Sequence, residues 1–526
     1  MKNHEMIKYL HRLVCFLSLW FTMSAESVRA GDFSLNSLFS DHMVLQRNQV
    51  VRVFGTGTDR AEVVVRLGGH ERRSTVREGT WEVELPAMKA GGPYTIEIDG
   101  PKQLKLSDVM IGDVWVGSGQ SNMGMGLKSM PEYARAPQSF GNPLLRIFKA
   151  KVAPAETPQR EIQRVKTTTM DGWSIADPAS SGEISAVGYY FCHAVQRELG
   201  VPIGFIHSAQ GATSLEAWLD DKALHEVLPE SKRLNALTNP KNPSVFYNGM
   251  IAPLQRFPIK GIIWYQGESG GHDPRPYQAL FSKLIVRWRE QWGLGDIPFY
   301  WVQLASFVFS SDKSGEAWPR VREAQDKCRA LPNTGMAVAL DRGEYGDIHP
   351  RQKMEVGERL ARLALRAEGK PIAAEGPRFR SAEFKDSAAE IHFVHANGLQ
   401  TREVVMNRKP KLDVGTDPEA FRAPAGELLG FQVAGSDGAF VDAKAVIKGD
   451  TVVVSSPAVR QPKYVRYAWK NFALANLYNG SGLPAEPFRT DNFPVPDAIV
   501  KEAESFQRTL NNYKSSAKPT NAEVPR

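Results

Sequence analysis

A chain of 526 residues with 42% hydrophobic and 23% charged side chains has room for several cores, and its balance excludes wholesale disorder and a membrane-embedded body. The formal charge of +7 includes no Lys/Arg run, and part of it sits in residues 1–30, so it gives no support for a nucleic-acid partner. Of three cysteines, Cys15 falls in the amino-terminal apolar stretch, and Cys192 and Cys328 alone make neither a disulfide framework nor a metal cluster.

Residues 13–23 are apolar, follow Lys2, Lys8 and Arg12, and precede the small residues Ser24-Ala25 and Val28-Arg29-Ala30. This pattern reads as a secretory signal over residues 1–30 and predicts a secreted or periplasmic protein with no membrane span after cleavage. An uncleaved anchoring helix is the alternative, but the run is shorter than the ~20 residues that cross a bilayer. Over residues 31–106, Trp81, Val83 and Leu85 alternate with Glu82 and Glu84, and Tyr94, Ile96 and Ile98 alternate with Thr95, Glu97 and Asp99. That period, with turns at Gly68-Gly69 and Gly91-Gly92-Pro93, predicts a small β-sandwich.

Residues 107–368 change character. Short apolar runs at 114–116, 203–207, 261–265, 298–304 and 335–341 are separated by stretches long enough for helices, which predicts βαβ crossovers and a parallel sheet. Val187, Tyr190, Phe191, Ala194, Val195 and Leu199 recur at helical spacing and stop at Gly200; Leu280, Phe281, Leu284, Ile285 and Trp288 do the same before Gly293. Pro350 suits the first turn of a further helix, with Met354, Leu360, Leu363 and Leu365 beyond it. Ligands of open α/β sheets collect at the carboxyl ends of the strands, so the residues after each run are expected in one crevice.

Four motifs stand there. Gly117-Ser118-Gly119-Gln120-Ser121 places a serine after a glycine turn, either as a nucleophile or as a helix N-cap. Met123 at the final position departs from the Gly-x-Ser-x-Gly elbow of α/β-hydrolases. Ser208-Ala209-Gln210-Gly211-Ala212-Thr213 offers the Gly211 N–H to a reacting oxygen, or is a simple turn. Trp264-Tyr265-Gln266-Gly267-Glu268 offers the Gln266 amide as an oxyanion donor, or is only a polar strand-to-loop transition. Its Glu268 is an acid able to orient a histidine or to accept a sugar hydroxyl. Asp347-Ile348-His349-Pro350 either pairs an acid with a histidine two residues later, close enough to reach Nδ1 and turn Nε2 toward the serine, or is a capped helix start with a surface histidine. Its Asp-x-His lacks further ligands at supporting spacing, so no metal or other cofactor is expected. Trp218, Trp264, Trp301 and Trp318 are placed either to stack on sugar rings or to fill the core.

Strand patterns return over residues 369–498, as in Glu390-Ile391-His392-Phe393-Val394 and Thr451-Val452-Val453-Val454, and predict a second β-sandwich. Residues 499–526 are polar and read as a disordered tail. Asn479-Gly480-Ser481 has the glycosylation acceptor pattern.

Taken together, the motifs resemble the sialate O-acetylesterase family of the SGNH (GDSL-like) hydrolases. The resemblance rests on residues 38–46, Gly119-Gln120-Ser121-Asn122-Met123, residues 185–191, Glu216-Ala217-Trp218, residues 248–254, Trp264-Tyr265-Gln266-Gly267-Glu268, Asp347-Ile348-His349-Pro350, Tyr467-Ala468-Trp469 and residues 488–491. It implies an SGNH-type (flavodoxin-like) α/β sheet with helices on both faces between two β-sandwiches. It further implies Ser121 as nucleophile, His349 as base, Asp347 as the acid behind it, and Ser121 N–H, Gly211 and Gln266 around the oxyanion. Glu268 and Asn122 are the expected substrate contacts. The implied reaction is cofactor-free hydrolysis of O-acetyl esters of sialic acid. Acetylated xylan is the alternative substrate, and a non-catalytic carbohydrate-binding protein the alternative class. Where relatives of the family carry two successive glycines, this chain has Gly211-Ala212.

Overall fold

The computed structural model describes residues 33–229, 239, 241–410 and 412–516, which separate into two compact units. The secretory signal expected over residues 1–30 lies outside the described residues. The smaller unit takes the described part of residues 1–36 with residues 52–85 and 96–105. In it, Glu62–Leu67 pairs antiparallel with His70–Thr75, and Thr80–Leu85 follows the expected alternation, with Trp81, Val83 and Leu85 buried.

The larger unit contains the central sheet. Along its main path the strands are β1 (Leu104–Gly119), β2 (Asn142–Lys149), β3 (Trp173–Ala176), β4 (Ile203–Ala209), β5 (Gly261–Tyr265), β6 (Phe299–Gln303) and β7 (Thr334–Val338), in the order β3-β2-β4-β1-β5-β6-β7. All five expected runs are parallel neighbours in it. Two strands were not anticipated. β2 is parallel to β4, but β3 is antiparallel to β2, so the sheet is mixed. Arg146 interrupts the apolar run of β2, because its guanidinium is buried on Asp108.

Helices cover both faces. α1 (Ser121–Gly124) is a single turn directly after β1, whereas α2 (Ala186–Leu199), α3 (Tyr277–Trp292), α4 (Ala317–Lys327) and α5 (Met354–Ala367) are longer. Both glycine stops hold: Gly200 and Gly293 cap α2 and α3 with φ of 69° and 64°. One face of the sheet presents Trp115, Ile147, Phe205, Ile263 and Val302 to Val187 and Phe191 of α2 and Leu360 and Leu363 of α5. On the other face Trp301 meets Phe281 of α3 edge-on at 5.2 Å, and Trp264 meets Trp288 at 5.6 Å. Trp218, Trp264, Trp301 and Trp318 are all fully buried, so these four tryptophans belong to the core and not to a sugar platform. Pro350 does not open α5, which begins four residues later at Met354; the intervening backbone carries His349 into the site.

Beyond α5 the chain returns to antiparallel strands. Arg378–Lys385, Ala388–Val394, Thr451–Ser455 and Lys444–Lys448 form one sheet, and Val441–Asp442, Phe431–Ala434, Tyr464–Tyr467 and Phe488–Arg489 form another. Asn479 is buried and its amide donates to the carbonyls of Glu375 and His395, which removes it as a glycosylation acceptor. Residues Asp497–Ser516 form a helix, α6, where composition suggested disorder; among its described side chains Ile499 and Ala503, four apart, are buried. Among the described residues, no helix is long and apolar enough to cross a membrane.

Candidate active site

β1 ends in a turn that only glycine allows. Gly119 has φ of 130°, and a Cβ there would sit 2.2 Å from the Tyr265 carbonyl oxygen of β5. Gln120 N–H donates to that same carbonyl at 2.9 Å, and Gln210 N–H donates to the Gly119 carbonyl at 3.1 Å. The turn is thereby fixed to the ends of both neighbouring strands. Gln120 is the N-cap of α1 and Ser121 its first residue, so the serine does not serve as a cap. Its own N–H belongs to the first turn, where no intrahelical acceptor exists.

His349 Nε2 lies 2.7 Å from Ser121 Oγ. On the far side of the ring, His349 Nδ1 is 3.6 Å from Asp347 Oδ1, and the same carboxylate oxygen accepts the His349 backbone N–H at 2.9 Å. Asp347 therefore fixes the peptide that carries the ring and sets a carboxylate beside Nδ1. Burial holds the imidazole below the ordinary histidine range; the Asp347 carboxylate opposes this and the Lys353 ammonium reinforces it. A neutral imidazole with Nε2 on a hydroxyl is the state a general base requires.

Glu268, the competing acid, is elsewhere engaged. Its Oε1 accepts from the Asn122 amide, which also donates to the Ile348 carbonyl at 3.0 Å. Lys353 Nζ completes the group by donating to Asn122 Oδ1 at 2.5 Å. Asn122 thus bridges a buried carboxylate and a buried ammonium and ties both to the peptide next to His349. Burial raises the Glu268 carboxyl, against its bond from Asn122, and lowers the Lys353 ammonium to about 7 against the pull of Glu268, Glu344 and Asp347. Neither Asn122 nor Glu268 lines the cavity above Ser121, so the expected substrate contacts are replaced by an internal brace. Lys353 was not anticipated, since a lysine just before a helix ordinarily points to solvent.

Gly211 follows β4 and approaches Ser121 closely; a Cβ there would lie 3.4 Å from that of the serine. Gln266 departs from expectation. Its Oε1 accepts from the Tyr277 hydroxyl at 3.0 Å, its Nε2 donates to the Thr213 carbonyl at 3.3 Å, and it is buried away from the cavity wall. The amide thereby holds the turn that carries Gly211. Gly211 thus brings its backbone alongside Ser121.

The cavity over these groups has a volume of about 620 Å³, enough for a sugar. Lys149, His207 and Arg351 line it beside Ser121, Gly211 and His349. Lys149 and His207 come from the ends of β2 and β4, where crevice residues are expected once both strands are known. Among the described residues no three His, Cys, Asp or Glu side chains gather as a metal site. The arrangement can perform acyl transfer, with a hydroxyl nucleophile, a neutral base, an acid behind it and two N–H donors for the developing oxyanion.

Residues 111–366 match the family model described as carbohydrate esterase, sialic acid-specific acetylesterase. The sialate O-acetylesterases of Pongo abelii and Homo sapiens are each 32% identical over 438 residues, covering 74% of this chain and 81% of the relative. A crystal structure of a carbohydrate acetylesterase from Xanthomonas citri superposes with a TM-score of 0.77 at 37% identity, covering 88% of this chain and all of the other.

Proposed function

This chain belongs to the family of sialic acid-specific acetylesterases, and on that premise we propose that it hydrolyses O-acetyl esters of sialic acid through an acyl-serine intermediate. It is a carboxylic ester hydrolase acting on an acetylated carbohydrate. Ser121 Oγ attacks the acetyl carbonyl while His349 Nε2 takes its proton, and Asp347 stabilises the imidazolium that forms. The N–H groups of Ser121 and Gly211 receive the oxyanion. Collapse of the tetrahedral species expels the sugar oxygen, which leaves protonated by His349. Water, deprotonated by the same nitrogen, then attacks the acyl-serine and releases acetate. Gln266 acts through the Thr213 carbonyl, keeping the Gly211 turn in place.

The contact of 2.7 Å between His349 Nε2 and Ser121 Oγ carries this reading. The strand order, with a serine after the first parallel strand and the histidine after the last, supports assigning the central sheet to the SGNH type. The basic and apolar sequence of residues 1–30 supports export to the periplasm or the medium. Acetate release from O-acetylated sialic acid and from acetylated xylan, by wild type and Ser121→Ala, tests the proposal. Release from the sialic acid ester that vanishes in the variant is the expected result; release from xylan alone overturns the substrate, and equal release by both proteins overturns the mechanism.

A further inference from the structure

The cavity holds positive charge and a free ring donor that ester hydrolysis does not use. Arg351, two residues beyond the base, lines the cavity, and its guanidinium makes no hydrogen bond to the described residues; Glu344, which accepts the Arg351 backbone N–H, is the nearby acid. Lys149, at the end of β2, donates to the Glu183 carbonyl at 2.6 Å and lies 3.8 Å from a Glu183 carboxylate oxygen. An ammonium has three donors, so with these two partners one remains for a ligand. His207, in register with Lys149 on the neighbouring strand, is 4% exposed, with neither ring nitrogen hydrogen-bonded and its ring stacked on Phe205 at 6.2 Å. A buried ring with both nitrogens unpaired carries a desolvation cost that a bound polar group offsets. Asp347 is the acid in this cavity lining, and it is engaged with His349.

An acetyl group is neutral, and so is the xylose of a plant polysaccharide; sialic acid carries a carboxylate at C1. We propose that Lys149, His207 and Arg351 form a carboxylate subsite that holds the acid group of the sugar while its acetyl ester reaches Ser121. The inference rests on the functional reading above and narrows it to anionic sugars. Arg351 supplies a planar pair of donors to the two carboxylate oxygens, Lys149 a point charge, and His207 a single N–H from a ring that burial keeps neutral, its pKa pushed down to about 3. Binding of the acid is thus directional, and it sets which hydroxyl is presented to the nucleophile.

The test compares three substrates: O-acetylated sialic acid, its C1 methyl ester and nitrophenyl acetate. Wild type is expected to show kcat/KM at least about tenfold higher on the free acid than on the methyl ester, a difference of about 1.4 kcal/mol. Arg351→Met and Lys149→Met should each reduce that ratio toward one, chiefly through KM, while nitrophenyl acetate turnover stays within about twofold of wild type. Free sialic acid should inhibit nitrophenyl acetate hydrolysis competitively, and its methyl ester should not. Equal rates of wild type on acid and methyl ester overturn the subsite without touching the esterase assignment, and so does a preference that survives both substitutions. Failure to cleave either sialic acid ester, with nitrophenyl acetate still hydrolysed, overturns the substrate reading itself. The wild-type comparison needs no variant to fold.

Discussion

His349 Nε2 and Ser121 Oγ sit at hydrogen-bond distance, 2.7 Å, although 228 positions separate them in the chain. On the proposed mechanism this contact sets the base on the nucleophile before substrate arrives. Ser121→Ala is expected to lower kcat about 10⁴- to 10⁶-fold with an unchanged circular dichroism spectrum. Stopped-flow hydrolysis of nitrophenyl acetate should give a burst approaching one nitrophenolate per wild-type chain if deacylation is the slower step, and none in the variant. Retention of a tenth of the wild-type rate would remove Ser121 from the chemistry.

Two acids lie near the base, and they should fail in different ways. Asp347 holds Nδ1 and the backbone of His349, so Asp347→Asn should cost about 10³- to 10⁴-fold in kcat and little stability. Glu268 instead balances buried Lys353 through Asn122, so Glu268→Gln leaves a buried ammonium without its counter-charge. That substitution should destabilise the protein by about 3–5 kcal/mol, read from denaturant unfolding, with a smaller loss of kcat than Asp347→Asn in the folded fraction. The reverse pattern would make Glu268 the orienting acid.

The acid limb of the kcat/KM profile should follow His349. Burial sets its pKa below the ordinary value of about 6.5, so the neutral, active form persists to lower pH than for a free histidine. Activity falls as pH drops through that lowered pKa. The Asp347 carboxylate raises the His349 pKa and the Lys353 ammonium lowers it. Asp347→Asn should therefore shift the limb to lower pH and Lys353→Met to higher pH. Shifts in the same direction in both variants would show that the limb belongs to another group.

Much of this site was legible in the primary structure because each motif follows a strand of the sheet, and strand ends converge by topology. Gly119-Gln120-Ser121 and Asp347-Ile348-His349 both carry local signals, a glycine at a turn and an acid within reach of an imidazole. Lys353 and Asn122 carried none, since a bridge between buried charges depends on which residues three separate segments bring together. β2 escaped because buried Arg146 breaks its apolar run, and with β2 went Lys149. Gln266 was recognised as an amide near the crevice, but its direction is set by Tyr277, which sequence spacing does not reveal.

Ala212, at the position where the family resemblance implies a second glycine, adopts φ of 60°. A left-handed alanine costs roughly 1–2 kcal/mol, of which a glycine recovers part while adding entropy to the unfolded chain. Ala212→Gly is expected to stabilise the protein by about 0.5–1 kcal/mol in denaturant unfolding, with kcat within about twofold of wild type. A destabilised variant would mean that the alanine methyl packs in the Gly211 turn and contributes to holding it.

Asp341, just beyond β7, is buried and gripped from two directions. Its oxygens accept from Arg359 of α5 at 2.6 and 2.7 Å, and the Tyr478 hydroxyl donates to it at 2.7 Å. Burial alone would raise its carboxyl, but Arg359, Arg342 and Tyr478 hold it well below the usual carboxylate range. With the folded pKa depressed, its contribution is fully present above the unfolded value of about 3.9 and is lost as pH falls through the folded one. Asp341→Asn keeps the shape and removes the charge, leaving Arg359 buried without its counter-ion, and should cost about 3–5 kcal/mol at neutral pH. Below pH 4 the gap between wild type and variant should narrow, because protonation favours the unfolded wild-type chain while the asparagine is indifferent to it. Unfolding midpoints measured from pH 7 down to pH 3 check this: a gap that stays constant across the range would mean that the carboxylate is not what holds Arg359 to the end of the sheet.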